Sequence, residues 1–165
     1  MSKIKCPFQK PKWEPLFWDN LREQDLKITN CYNYAFNVVE ENTNPNNDHK
    51  IQPGEISNTN KNNLTCKNII YNVEQDYNVS LRKVSLKESL PCNHYRIAIV
   101  IDNIGDHTDY HFYRQDSNGY WSHKDGWRKA TNKDKHGKLI REPEIIEYEN
   151  KSKLCTYFIF PIKKK

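Results

Sequence analysis

Residues 95–124 read YRIAIVIDNIGDHTDYHFYRQDSNGYWSHK, and the alternation within them decides the fold class. Positions 95–102 form a short apolar run rich in β-branched side chains, which predicts a strand. Residues 109–115 alternate like a second strand. Asp116-Ser117-Asn118-Gly119 carries turn chemistry, so 120–124 should return antiparallel to it as a hairpin. Outward from this core, a further strand is expected from Trp127, followed by a polar excursion over 131–144. CTYFIFPI, from Cys155, reads as a closing strand, and 80–85 as a shorter one before the run.

Upstream the period changes. In TNCYNYAFNVVEE, residues 29–41, Tyr34, Ala35, Val38 and Val39 recur at helical spacing behind a Thr29 or Asn30 cap. Leu64–Tyr77 repeats the pattern with Ile69, Ile70 and Val73 on one face. A short helix is expected over 19–27, and Gln52-Pro53-Gly54 is a turn. Residues 1–18, with three prolines among four aromatic rings, read as an irregular arm, and 163–165 as a basic tail. The expectation is one α+β domain over 1–165, with helices packed on an antiparallel meander.

The chain has 165 residues, enough for one hydrophobic core. Apolar residues make up only 36%, but 10 tyrosines and 4 tryptophans supply large buried areas. The formal charge of +5 gathers at Lys3, Lys5, Lys10, Lys12 and 163–165. No nucleic-acid motif accompanies it, so solvated ends are expected rather than a nucleic-acid partner. No run is long enough to span a bilayer, and MSKIKCPFQKPKW has no signal-peptide core. The 5 cysteines are odd in number with no Cys-x-x-Cys pair. That points away from a full disulfide framework and toward a reducing, cytoplasmic compartment with at least one free thiol.

Cys31 falls in the first turn of its helix, where thiolate character is favoured; a small buried hydrophobe is the ordinary alternative. A nucleophilic thiol also needs a base. His111 and His123 flank one tight turn, so their rings can sit side by side, one accepting the thiol proton and the other orienting it. Two unrelated histidines on a hairpin are the simpler description. Asp109, two residues before His111 and on the same strand face, is a competing orienter. Arg114 and Lys124 flank these positions and could hold a substrate carboxylate, or belong to a solvated face. Trp121 and Trp127 could line a cleft or pack a rim. Zinc on Cys31, His111 and His123 is conceivable, but no HExxH-type motif supports it.

NCYNYA at 30–35 resembles the nucleophile helix of papain-like thiol hydrolases, the NlpC-type endopeptidases and CHAP amidases. His111 and His123 match their histidine hairpin, and Pro53-Gly54-Glu55 is similar to their Pro-Gly-Asp turn. The motifs together, with TNKDKHGKLI at 131–140, resemble a little-characterised group from bacteria and large DNA viruses. The resemblance covers about 30–140. It implies a papain-like fold and a cysteine hydrolase that cleaves amide, peptide or isopeptide bonds through a thioester, without a cofactor. Catalytic roles would fall to Cys31, His111, and His123 or Asp109. The Asp-Tyr-His order also resembles viral tegument-type deubiquitinases, which adds a ubiquitin-like tail to the possible peptide or protein substrates and host cytoplasm or virion to the locations. Three departures stand against close kinship: Tyr32 and Asn33 follow the cysteine where small residues are usual, a helix separates Pro53-Gly54 from His111, and no wall-binding module is present. A catalytically silent papain-like module that binds or builds is the reading from another class.

Overall fold

The apolar run at 95–102 becomes a central strand because both of its faces are covered. In the computed structural model, which describes residues 6–39, 43, 46, 48–59, 63–104, 107–143 and 152–162, it lies in β2 (His94–Ile104). The basic residues Lys3, Lys5 and 163–165, and half of the polar loop at 42–49, lie outside the described residues. β2 pairs antiparallel with β3 (His107–Gln115), and β3 with β4 (Trp121–Lys124) across the expected turn, where Gly119 takes φ +85°. β5 (Ala130–Thr131) follows β4. β1 (Arg82–Val84) and β6 (Ser152–Pro161) complete a six-stranded sheet of order β1-β6-β2-β3-β4-β5.

The fold is α+β and mostly β, with short helices beside an antiparallel sheet. It departs from a plain meander at one point. The last strand inserts between β1 and β2 rather than closing an edge. Phe158 and Phe160 on one face and Tyr157 and Ile159 on the other explain the insertion, since a strand apolar on both sides needs cover on both and a central slot supplies it.

Alternation divides the core in two. Ile97, Ile99, Phe112, Phe158 and Phe160 face Tyr32, Phe36, Ile69 and Val73 of the helical layer. Ala98, Val100, Tyr113, Trp121, Tyr157 and Ile159 face the other way, against Val84 and Ile140.

The helices are α1 (Pro15–Asp19), α2 (Glu23–Ile28), α3 (Cys31–Ala35) and α4 (Cys66–Tyr77). α1 replaces part of the expected irregular arm. Pro15 suits its first turn, where no N–H is needed, and Trp18 is buried against Tyr34 with ring centroids 4.9 Å apart. α3 is much shorter than the helix expected over 29–41. Asn37 takes φ +56° directly after the Phe36 cap, a left-handed stop that asparagine tolerates. Its residues 31–35 are all buried, so no polar face exists to continue.

Four of the five cysteines form disulfides, Cys6–Cys92 and Cys66–Cys155, against the expectation from their number and spacing. Their partners lie 86 and 89 residues apart, beyond the reach of any short-spacing motif. These bonds belong to an oxidising environment and do not support the reducing, cytoplasmic placement. No helix among the described residues is long and apolar enough to cross a membrane.

Candidate active site

Asn30 fixes where α3 begins. Its side-chain oxygen accepts from the N–H groups of Tyr32 at 3.0 Å and Asn33 at 3.1 Å. Asn33 answers by accepting from the Asn30 N–H, which completes a capping box with an amide in place of the usual carboxylate. Thr29, the other expected cap, instead donates to the Asp25 carbonyl. Cys31 is thereby the first residue of the helix, buried, and the free cysteine of the five.

The Cys31 sulfur lies at the backbone of β3. The N–H groups of Phe112 and Tyr32 both donate toward it, which favours the thiolate. Burial outweighs them and pushes the thiol up to about 12, with Asp109 and Asp125 adding in the same sense. Cys31 is therefore a thiol at rest, contrary to the activation expected of a first-turn cysteine.

His111 and His123 meet as the hairpin spacing predicted. His111 Nε2 and His123 Nδ1 are 2.7 Å apart, with the rings nearly perpendicular at 83°. Both are buried. Burial pulls His111 down to about 4; burial and then the His111 charge pull His123 down to about 3. Neutral imidazoles therefore fill this site at neutral pH. Asp109, the competing orienter, is exposed and accepts from the Tyr110 N–H at 2.7 Å.

Cys31 and the histidine pair approach β3 from different sides. Phe112 packs on Tyr32 and Phe36 in the helical layer, whereas His111 shares its face with Tyr113. The described pairing of β3 with β4 is confined to Arg114 and Gln115, so β3 has an open edge beside Phe112. The sulfur reaches that edge, one residue along from His111.

Arg114 and Lys124 are buried supports rather than a solvated face. The Arg114 guanidinium bonds the Asp116 carboxylate at 2.9 Å, the Tyr34 carbonyl at 3.2 Å and the Lys12 carbonyl at 3.2 Å. Ser122 donates to Asp116 at 2.5 Å and accepts from the Tyr34 hydroxyl at 2.7 Å. Lys124 donates to the carbonyls of Thr29, at 2.9 Å, and Gly126; burial lowers it to about 8. Strand parity carried this signal, because Arg114, Ser122 and Lys124 occupy alternate positions facing α3. Trp121 is core and Trp127 is 58% exposed.

The Pro53-Gly54-Glu55 turn is held by carboxylates. Gly54, at φ +92°, donates to Asp76 at 2.6 Å, and Glu55 accepts from the Gln52 N–H at 2.8 Å. Gln52 in turn accepts from the Tyr110 hydroxyl, which connects this turn to β3. The Phe112 N–H and the Gln52 side chain were beyond sequence reasoning, since a backbone donor leaves no residue-type signal and Gln52 stands 58 residues from its partner. A cleft of about 830 Å³ between the arm and Phe36, Asn37, Tyr95 and Phe160 lies at the far end of α3 and contains none of these groups.

The chain is similar to the insoluble matrix shell protein 1 of Ruditapes philippinarum, 37% identical over 121 residues that cover 72% of this chain and 70% of that protein. No family model and no solved structure matches it.

Proposed function

We propose that this chain, which belongs to the family of the insoluble matrix shell protein 1 of Ruditapes philippinarum, is a cysteine hydrolase of papain-like plan that cleaves an amide or peptide bond. The observation that carries the reading is the buried 2.7 Å bond between His111 and His123, with His111 next in the chain to Phe112, whose N–H meets the sulfur of the free Cys31.

Attack starts from neutral partners. The step requires His111 Nδ1 to meet the thiol past the open edge of β3: there it takes the thiol proton as Sγ bonds to the substrate carbonyl carbon, and His111 Nε2–H donates to His123 Nδ1 to steady the imidazolium. The tetrahedral adduct collapses as the C–N bond breaks, and the amine leaves with the proton from His111. His111 then deprotonates a water that attacks the thioester, which returns the thiol and releases the acid. The N–H groups of Phe112 and Tyr32 favour the sulfur's thiolate character as its proton leaves, and the negative charge of the adduct then rests on the former carbonyl oxygen.

A second reading has one observation of its own. A thiol held up to about 12 suits a silent, structural site, and the relative is named for a shell's insoluble matrix. In that reading the chain is a disulfide-braced module that binds within a matrix.

Acylation by p-nitrophenyl acetate, followed by intact mass and nitrophenolate release, separates the two. The hydrolase gives one acetyl group on Cys31 and steady turnover, and His111→Ala slows it by about a hundredfold or more. Equal acylation in wild type and His111→Ala would leave the structural reading.

A further inference from the structure

Two loops meet near Cys31, each fastened to one of the two residues that precede it, Asn30 and Thr29. The Asn30 amide donates to the Ile51 carbonyl at 2.9 Å and pins the 48–55 loop. Glu55 keeps that loop in shape through Gln52 and through His49, 2.9 Å away. The Lys124 ammonium, on the carbonyls of Thr29 and Gly126, pins the 125–129 loop.

Where the loops meet, Lys50 Nζ lies 4.5 Å from the centroid of the Trp127 ring. Trp127 is 58% exposed. A large indole left in water on a loop, with an ammonium seated on its face, is a poor contribution to a core and a serviceable one to a binding rim. Among the described residues no carboxylate pairs with Lys50. Two acids of these loops have partners of their own, Asp125 in Arg128 at 3.7 Å and Glu55 in His49 at 2.9 Å. The charge of Lys50 is felt at Lys124, and Lys124 is the cation that feels Cys31, so Lys124 stands between the Lys50–Trp127 rim and the thiol. The net charge of +5 steers anionic partners to the surface.

We propose that Lys50 and Trp127 form a substrate subsite for an acidic peptide, the ammonium taking an Asp or Glu carboxylate while the indole covers the adjoining chain. This rests on Cys31 as the nucleophile and names the substrate class for that site. Arg114 and Lys124 are buried in support of α3, which leaves the carboxylate to Lys50.

The test uses the full chain as Cys31→Ser, so that binding is read without reaction. Calorimetry compares acetyl-Ala-Glu-Glu-Ala-amide with its Gln-Gln counterpart and with unblocked Ala-Gln-Gln-Ala, which carries only a terminal carboxylate. The expected result is binding of the Glu peptide at least tenfold tighter than either, an advantage lost in Lys50→Glu and Lys50→Met and reduced in Trp127→Ala. Equal binding of the Glu and Gln peptides, or a preference that ignores both Lys50 variants, overturns the subsite. Tightest binding of the unblocked Gln peptide overturns the acidic side chain as its ligand. Lys50-dependent binding alongside a wild type that is never acylated at Cys31 would uphold the subsite and remove the hydrolase.

Discussion

Acid should destabilise this protein through its histidine pair before it changes most carboxylates. His111 stands at about 4 and His123 at about 3, against an ordinary 6.5 in the unfolded chain. Above pH 6.5 both rings are neutral in either state, and the pair contributes its full stability. As pH falls from 6.5 toward 4, the unfolded chain binds protons that the folded chain refuses, and stability is lost through that window. The displacement of His111 from 6.5 to about 4 amounts to roughly 3 kcal/mol at 1.36 kcal/mol per pH unit, and His123 acts in the same sense. Urea unfolding followed by tryptophan fluorescence at pH 7, 6, 5 and 4 measures the loss. The double variant His111→Gln/His123→Gln removes the histidine contribution and keeps the carboxylates. Wild type should lose about 6 kcal/mol more than the double variant between pH 7 and 4, roughly 3 kcal/mol from each ring. Parallel stability curves, or an imidazole resonance of His111 titrating near 6.5, would refute the neutral buried pair and the base role built on it.

Arg114→Met should lower stability by about 3–5 kcal/mol, because it strands the buried Asp116 carboxylate. Adding Asp116→Asn should recover part of that loss, and thermal unfolding of the single and double variants checks both. Each disulfide closes a long loop, so Cys66→Ala/Cys155→Ala should cost about 2–4 kcal/mol. Non-reducing peptide mapping should show the Cys6–Cys92 and Cys66–Cys155 pairs with Cys31 unmodified, and finding five reactive thiols in the folded chain would reverse that assignment.

Local and periodic signals were legible in the sequence. β2, β3 and α4 lie where alternation and helical spacing put them, and the 12-residue separation of His111 and His123 gave their contact because a tight hairpin converts spacing into adjacency. What could not be read depends on tertiary pairing. Nothing within Ser152–Pro161 states that it enters the sheet between β1 and β2. The Cys66–Cys155 disulfide joins residues of ordinary appearance, one in a helix and one in a strand, across 89 positions. Cys31 shows the sharpest gap. Its place at a helix start was legible, but the burial that dominates its ionisation comes from β3 and the surrounding core.

The two faces of the β3–β4 hairpin make that burial consequential. On one face, Arg114, Ser122 and Lys124 grip α3 and the residue before its cap, through Tyr34 and Thr29. On the other, His111, Tyr113 and His123 pack ring against ring, with centroids 4.8 to 4.9 Å apart. One short hairpin therefore fixes both halves of the candidate site, the thiol by its grip on α3 and the imidazoles by carrying them. The buried cations are costly unless every donor is satisfied, and the Arg114 guanidinium spends its donors on Asp116, Asn37, Lys12 and two groups of Tyr34. Such a grip holds the sulfur at the Phe112 N–H in one register relative to the histidines. A cysteine kept only as core filler needs no such alignment, and that supports the proposed hydrolase over the structural reading.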